Sequence, residues 1–207
     1  MAAAPQTQRA GAYGQSRKAS PVDRFGVWLS TRRMRSAVGD FTGKRVGDFG
    51  CGYDATFART LLDRAAELVL IDVALAPELK SAPKVRAIEG ELPGALEDLE
   101  AESLDVVILN SVLEHLWEPE WALAECYRVA KPGGVVLVNV PTWRGKWFLE
   151  LSAFRFGTSP AEEMDDHKRY YDPRDLWPVL VRAGFKPSGI KCFKHKFDLN
   201  TWAQCRK

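Results

Sequence analysis

The sequence has no CxxC motif, no long apolar run and almost no net charge. Each of these absences argues against a class of protein. Its four cysteines include no CxxC pair, which argues against a zinc knuckle or a thioredoxin-type site and favours reduced thiols. No apolar run approaches the roughly 18–20 residues of a membrane span, and the N-terminus lacks the apolar block of a secretory signal. With 29 basic and 27 acidic residues, the formal charge is only +2. We therefore expect a cytoplasmic protein that binds neither nucleic acid nor membranes.

The length and local composition predict one folded domain behind an N-terminal tail. The 207 residues fit a single domain, since domains have roughly 100–200 residues. Residues 1–20 are rich in Ala, Gln and Gly and carry three basic residues but no acid, so we expect a disordered tail. Residues 21–207 are expected to form the domain. Residues 141–171 match no simple strand and helix unit, and we expect them to form an insertion over the active face.

Alternating strand and helix patterns predict an α/β fold. Short β-branched segments bounded by turn residues indicate strands at 45–49, 68–71, 85–88, 104–109 and 134–140. Helical periodicity begins at Pro21, and further helices are expected at 55–66, 117–129 and 173–183. Two closing strands are expected at 185–193 and 199–205. The pattern predicts a Rossmann-like, doubly wound, mostly parallel seven-stranded sheet with an antiparallel edge hairpin.

A glycine turn after the first predicted strand is the first candidate binding site. In open parallel sheets, ligands bind at the carboxyl ends of the strands, where Gly50 and Gly52 lie. Residues 50–55 satisfy the loose G-x-G-x-x-A pattern, which does not by itself choose a cofactor. Asp48 would repel a pyrophosphate but attract an ammonium group, and S-adenosylmethionine carries one. Asp72, at the tip of the second strand, is placed to accept hydrogen bonds from ribose hydroxyls.

These segments together resemble the class I S-adenosylmethionine-dependent methyltransferases, and the resemblance extends from Gly39 to Lys207. The matching segments are the D-x-G-x-G signature at 48–52, the acid at Asp72, Gly90-Glu91, residues 110–116 after the fourth strand, and the proline-glycine turn at 131–134. Residues 167–171 and 183–185 also resemble a bacterial subset of small methyltransferases associated with glycans, quinones or other secondary metabolites.

The resemblance implies S-adenosylmethionine as the cofactor and a set of residues that hold it. These residues are Asp48, Gly50, Gly52, Asp72, Glu91 and Asn110. Glu91 is expected to meet the adenine amino group. The family usually has a third glycine where this chain has Asp54. The carboxylate of Asp54 is therefore expected near the methionine carboxylate of the cofactor, with a left-handed backbone that aspartate tolerates better than most residues.

Two histidines are candidates for the catalytic base. A base helps methyl transfer when the acceptor is a hydroxyl, although alignment and desolvation supply much of the rate. His115 follows the fourth strand and His167 lies in the insertion, whereas His195 lies among lysines and is expected to be solvated. The alternatives are a pocket-lining role for His115 and a charged lid for His167. The residues expected to face the acceptor are Ser111, Glu114, Trp143, Arg169 and Tyr170.

A metal site is a further alternative that the residues argue against. Some methyltransferases bind a divalent ion through Glu-x-x-Glu-His and later histidines. This sequence resembles them at Glu114, His115 and the distant His167. Ser111 replaces the first glutamate here, and Mg²⁺ prefers hard oxygen ligands. We therefore expect no metal site.

The resulting prediction is a methyltransferase that modifies a small molecule at oxygen, with a sugar or secondary metabolite as the acceptor. The aromatic residues after Pro141 are expected to line the acceptor pocket, with core packing or a homodimer contact as alternatives. A non-catalytic cofactor-binding module is an alternative suggested by Asp54. A nicotinamide-dependent oxidoreductase is disfavoured by Asp48 and the 131–134 turn. Amino methylation of nucleic acid is disfavoured because residues 110–113 lack the Asn-Pro-Pro-aromatic motif.

Overall fold

Strands alternate with helices in a computed structural model that describes residues 11–15, 21–148 and 167–207. The strands are β1 Arg45–Phe49, β2 Glu67–Asp72, β3 Val85–Glu89, β4 Leu104–Asn110, β5 Ala130–Pro141, β6 Ile190–His195 and β7 Asn200–Arg206. The helices with defined bounds are α1 Pro21–Val38, α2 Thr56–Arg59, α3 Pro77–Lys80, α4 Pro119–Val129 and α5 Pro173–Arg182.

The strands form one sheet in the order β3-β2-β1-β4-β5-β7-β6. The first five strands pair in parallel, and β7 is antiparallel to both β5 and β6. This confirms the predicted doubly wound, mostly parallel sheet with an antiparallel edge hairpin. The strand order reverses between β1 and β4, so the carboxyl ends of these two strands flank the crevice where ligands bind in such sheets.

The core lies on both faces of the sheet. In β4, Val106 and Ile108 pack into one apolar cluster, while Val107 and Leu109 pack into the cluster on the opposite face. All four side chains are buried because helices cover both faces. A rigid central strand therefore ends at Asn110, next to the ligand crevice.

Three predicted boundaries differ from the structure. The helix expected over 55–66 contains only α2, because turns with hydrogen bonds to the third preceding residue replace it from Thr60 to Arg64. Residues 131–134 belong to β5, whose pairing with β4 shifts register between Leu104 and Val106. The strand expected at 185–193 begins at Ile190, because a short 3-10 turn precedes it.

Part of the predicted disordered tail contacts the glycine turn. Residues 11–15 are described, and the Tyr53 backbone N–H donates a hydrogen bond of 2.9 Å to the Tyr13 carbonyl oxygen. Ala12 is buried. The prediction of disorder does not hold for these five residues, whereas residues 1–10 and 16–20 lie outside the described part of the chain.

The two described ends of the predicted insertion lie together at the end of β5. Residues 143–148 are helical, and the Tyr171 N–H donates a hydrogen bond of 3.0 Å to the Pro141 carbonyl oxygen. Residues 149–166 of the predicted insertion lie outside the described residues. Among the described helices, none combines the length and hydropathy that crossing a lipid bilayer requires.

Candidate active site

Two cavities at the carboxyl ends of β1 and β4 form one bent groove. The smaller has a volume of about 130 Å³ and the larger about 340 Å³. Both are lined by Gly50, Asp72, Ser111 and His115, which therefore mark their junction. The groove lies at the crevice that the strand order predicts for a ligand.

The glycine turn lets the backbone form the floor of the groove. Gly50 and Gly52 have φ values of 71° and 76°, which residues with a Cβ rarely adopt. A Cβ on Gly50 would lie 2.5 Å from a methyl carbon of Val112. Backbone conformation therefore favours glycine at both positions, and shape requires it at Gly50.

Asp48 is a buried acid at the end of β1. Desolvation and the nearby negative charge of Asp72 raise the pKa of Asp48 to about 7. Two close carboxylates in a buried site need a cationic ligand if both are to be ionised. The pair therefore favours a ligand with an ammonium or sulfonium charge, as expected for S-adenosylmethionine.

The carboxylate of Asp72 is held in one orientation by the backbone around it. Its Oδ2 accepts a hydrogen bond of 2.7 Å from the Gly52 N–H, and its Oδ1 accepts one of 2.8 Å from the Val73 N–H. Each carboxylate oxygen can accept more than one hydrogen bond. Asp72 thus presents a preoriented acceptor at the junction, where a ribose would lie.

The smaller cavity has the composition of a base-binding pocket. Gly90 and Glu91 line one side, while the apolar side chains of Leu92, Val112 and Leu116 contribute to the rest. Glu91 is exposed at the rim. This arrangement matches the expected position of Glu91 beside the adenine, which stays a prediction.

The position of Asp54 differs from the sequence expectation. The non-glycine residue of this turn that has a left-handed backbone is Ala55, with φ 42°, and not Asp54. Asp54 is exposed and is not among the described residues that line either cavity. The expected approach of the Asp54 carboxylate to the methionine carboxylate of the cofactor stays a prediction, which the exposed position of Asp54 does not favour.

The two predicted catalytic histidines come together at the acceptor end. A short 3-10 turn, Leu113–His115, follows β4, and the Glu114 carbonyl oxygen accepts a hydrogen bond of 2.7 Å from the Lys168 N–H. This contact brings His167 beside His115, with ring centroids 4.7 Å apart. His167 Nδ1 lies 3.1 Å from the Tyr170 hydroxyl.

The same residues form a candidate ligand set. One ligand atom each from Glu114, His115 and His167 lies within 4.8 Å of the others. One carboxylate and two imidazoles suit a first-row transition ion better than Mg²⁺. These residues would hold such an ion, and an imidazole nitrogen that binds the ion would not be available as a base. The expectation of no metal site is untested and stays a prediction.

Of the residues expected to face the acceptor, Ser111 and Glu114 line the larger cavity and Arg169 does not. The Arg169 guanidinium lies 3.7 Å from the Glu120 carboxylate and donates to the Trp117 carbonyl oxygen at 3.4 Å. Arg169 is thus oriented toward the start of α4, because its guanidinium interacts there with the Glu120 carboxylate and the Trp117 carbonyl oxygen. This arrangement does not support a role for Arg169 in acceptor binding.

Trp143 and Tyr170 also lie outside the described lining of the cavities. Trp143 is 54% exposed and packs on Tyr170, with ring centroids 5.4 Å apart. Tyr170 is buried and contacts His167. Tyr170 therefore packs against His167, and Trp143 packs against Tyr170, outside the described wall of the cavity. Asn110 lines the larger cavity and accepts a hydrogen bond of 3.0 Å from the Asn139 amide.

Sequence reasoning missed Lys196, which lines the larger cavity from the turn between β6 and β7. Desolvation lowers the pKa of Lys196 to about 8, and the negative charge of Glu114 partly offsets that effect. The sheet topology could have predicted this position. Because β7 is antiparallel to β5, the turn before β7 lies beside the carboxyl end of β5, next to the cavity. The neighbouring His195 is half-buried against Trp202, with ring centroids 5.9 Å apart, and is not solvated as expected.

The Cys51 thiol also lines the larger cavity. Desolvation, with the nearby charges of Asp48 and Asp72, raises the pKa of Cys51 far above its ordinary value. The thiol therefore stays protonated and is not a nucleophile. All four cysteines are free in the structure.

The fold and this groove define a Rossmann-like protein that binds a cationic nucleoside cofactor, and comparisons with known proteins identify the family. Residues 47–138 match the family described as "Methyltransferase domain". A probable S-adenosylmethionine-dependent methyltransferase of Mycolicibacterium smegmatis is 31% identical over 149 residues, which are 70% of this chain and 52% of that protein. A ubiquinone biosynthesis O-methyltransferase of Pseudomonas fluorescens is 32% identical over 168 residues, 73% of this chain and 68% of that protein.

The fold agrees with this result. The crystal structure of a SAM dependent methyltransferase from Archaeoglobus fulgidus has a TM-score of 0.62 at 18% identity, covering 87% of this chain and 94% of that chain. This chain belongs to the family of S-adenosylmethionine-dependent methyltransferases, whose cofactor is S-adenosylmethionine. It spans about half the length of the Mycolicibacterium relative.

Proposed function

We propose that this chain transfers a methyl group from S-adenosylmethionine to an oxygen atom of a small molecule, a sugar or another secondary metabolite. The observation that carries the proposal is the contact between His115 and His167 at the acceptor side of the cofactor groove. A base of this kind is needed when a hydroxyl is methylated, because the oxygen must lose its proton as it attacks. The relative from Pseudomonas, named as an O-methyltransferase, supports the same chemistry.

The cofactor half of the site binds S-adenosylmethionine and orients it. S-adenosylmethionine supplies, when bound, a methyl group on a positively charged sulfur. Asp48 and Asp72 attract its positive charge, and the oriented carboxylate of Asp72 receives the ribose. Because Gly50 and Gly52 have no side chain, the backbone of the turn can approach the ligand closely. These residues align the methyl group with the acceptor, which supplies much of the rate.

The acceptor half removes a proton. We assign the base to His115, because it lines the larger cavity together with Asp48 and Gly52, which would hold the cofactor. His167 contacts His115 through its ring and is held at Nδ1 by the Tyr170 hydroxyl, so it orients the base. Glu114, buried beside them, contributes negative charge that favours the protonated imidazole formed during transfer.

Methyl transfer to matched acceptors tests the proposal. The purified protein is incubated with S-adenosylmethionine labelled in its methyl group and with pairs of probes that differ only in the nucleophile, such as 3,4-dihydroxybenzoate and 3,4-diaminobenzoate. We expect label in the hydroxyl compounds alone. Label in the amines alone would contradict oxygen methylation. Tight binding of S-adenosylhomocysteine without transfer to any sugar or phenol would instead favour a non-catalytic module.

A further inference from the structure

The described wall of the larger cavity contains one partly buried cation. Among the described residues that line this cavity, Lys196 is the only lysine or arginine, whereas Asp48, Asp72 and Glu114 contribute carboxylates. The two aspartates serve the positively charged cofactor. Lys196 comes from the β6–β7 turn, which β4 and β5 separate from the two strands that carry the aspartates.

The ammonium group of Lys196 belongs to the lining of the larger cavity, where the negative charge of Glu114 acts on it. Its Nζ lies 3.9 Å from the position that a Cβ would take on Gly26 in α1, so the side chain reaches across the cavity. Among the described residues, no carboxylate lies within 4.0 Å of this Nζ. A partly buried ammonium group with no close carboxylate among the described residues can gain such a partner from a ligand that carries the opposite charge.

The turn that carries Lys196 connects the antiparallel strands β6 and β7 through a left-handed backbone, as tight hairpin turns often do. Lys196, Phe197 and Asp198 have consecutive φ values of 50°, 57° and 66°, in the left-handed region that L-residues other than glycine avoid. Backbone strain of this kind concentrates at functional sites, where the surrounding structure enforces it. The exposed Phe197 and the inward Lys196 are a consequence of this turn.

The end of β5 holds the strained turn in place. The Thr142 hydroxyl donates a hydrogen bond of 2.7 Å to the Asp198 carbonyl oxygen, and the Thr142 N–H donates one of 3.0 Å to the Leu199 carbonyl oxygen. A Cβ on Gly145 would collide with the Leu199 carbonyl oxygen, so this approach requires glycine. Lys196 is therefore held by the same strand end that borders the acceptor cavity.

We propose that Lys196 is a specificity-determining residue that binds a carboxylate of the methyl acceptor, so that the substrate is a hydroxylated carboxylic acid. This rests on the proposed function, because it assumes that the larger cavity receives the acceptor. A carboxylate fits better than a phosphate, since one lysine supplies one positive charge and phosphate sites usually combine several cationic donors. The hydroxyl of the acceptor then lies toward His115 and its carboxylate toward Lys196.

Binding of an acid and its neutral amide tests the role of Lys196. The protein saturated with S-adenosylhomocysteine is titrated with 3,4-dihydroxybenzoate and with 3,4-dihydroxybenzamide, in the wild type and in Lys196→Met. We expect the wild type to bind the acid at least tenfold more tightly than the amide. Lys196→Met should remove this preference while the affinities for the amide and for S-adenosylhomocysteine stay within twofold. Lys196→Arg, which retains the charge, should keep most of the preference.

The matched control is Lys194→Met, which removes the same charge from an exposed position in β6 and should leave both affinities unchanged. A thermal unfolding curve of Lys196→Met checks folding, and the midpoint should rise because a desolvated charge is removed. A wild type that binds the acid no more tightly than the amide would overturn the proposal. An unchanged preference in Lys196→Met would do so as well.

The outcome also separates this proposal from the proposed function. A protein that prefers the acid through Lys196 but transfers no methyl group to it would support the assignment of Lys196 and contradict oxygen methylation of that acceptor. Methyl transfer to hydroxyl compounds with no dependence on their charge, in wild type and Lys196→Met alike, would support the proposed function and overturn the role of Lys196.

Discussion

The imidazole rings of His115 and His167 pack edge to face with centroids 4.7 Å apart, although they come from two separate segments of the chain. One follows β4 and the other precedes α5, and the hydrogen bond from the Lys168 N–H to the Glu114 carbonyl oxygen joins the segments. The acceptor end of the groove is therefore assembled by tertiary contacts, whereas the cofactor end is built from consecutive strand ends.

The first prediction concerns the base. His115→Ala should lower kcat by at least about a hundredfold, because general base catalysis contributes that much or more, and should leave the affinity for S-adenosylhomocysteine within twofold. Tyr170→Phe removes the hydroxyl that holds His167 Nδ1, and the loss of one hydrogen bond of about 1 kcal/mol predicts a decrease of about fivefold. Steady-state kinetics with a methylated probe measures both effects.

Added imidazole provides the control for the histidine variant. It should restore part of the activity of His115→Ala, because the cavity left by the side chain lies in the groove, and should not affect Tyr170→Phe. Wild-type turnover in His115→Ala and in His167→Ala would mean that alignment is the whole mechanism and that neither ring removes a proton.

The second prediction concerns Asp72. Asp72→Ala should weaken the binding of S-adenosylhomocysteine at least a hundredfold, since two hydrogen bonds to a charged acceptor contribute roughly 1.5–3 kcal/mol each. Calorimetric titration measures the change. Asp54→Ala is the matched control, because this neighbouring acid is exposed and does not line the described cavities, and it should bind as the wild type does. Equal affinity in Asp72→Ala and the wild type would contradict the assignment.

The third prediction concerns the stability cost of Asp48. Its pKa is about 7 in the folded protein and about 3.8 for an unperturbed carboxyl, so the folded state holds the proton more tightly than the unfolded state. The cofactor-free protein therefore loses stability as pH rises from about 4 to 7. Asp48→Asn avoids this loss and should be more stable at pH 8 by up to about 4 kcal/mol, at 1.36 kcal/mol per pKa unit.

Urea unfolding of both proteins at pH 4.5 and pH 8 measures this difference. The stability advantage of Asp48→Asn should be large at pH 8 and small at pH 4.5, while its affinity for S-adenosylhomocysteine falls at pH 8. An advantage of equal size at both pH values would show that the substitution acts through packing and not through the charge of the carboxylate.

The sequence alone predicted the sheet because its strands follow from local patterns, while the cofactor-binding roles of the glycine turn and the two aspartates stay predictions. Strand ends at Asp48 and Asp72 are set by buried β-branched segments, and the glycine turn needs only its own residues. Arg169 and Lys196 could not be placed in this way, because the direction of a loop side chain depends on its partners. Arg169 lies beside Glu120, outside the described lining of the cavity, and a left-handed turn places Lys196 in that lining.

The fourth prediction concerns divalent ions. Treatment with EDTA followed by gel filtration should leave methyl transfer unchanged, because two imidazoles and one carboxylate form a poor Mg²⁺ site. Micromolar Zn²⁺ should inhibit by occupying Glu114, His115 and His167, and His167→Ala should be less sensitive to it. Loss of activity on EDTA treatment that Mg²⁺ restores would identify the histidines as ligands instead of a base.

The most direct test of the central claim is calorimetric titration of the purified wild-type protein with S-adenosylhomocysteine, with NADPH as the control. We predict micromolar or tighter binding of S-adenosylhomocysteine alone, because the buried pair of Asp48 and Asp72 attracts an ammonium group and repels a pyrophosphate. Binding of NADPH in preference to S-adenosylhomocysteine, or of neither, would contradict the assignment of the groove.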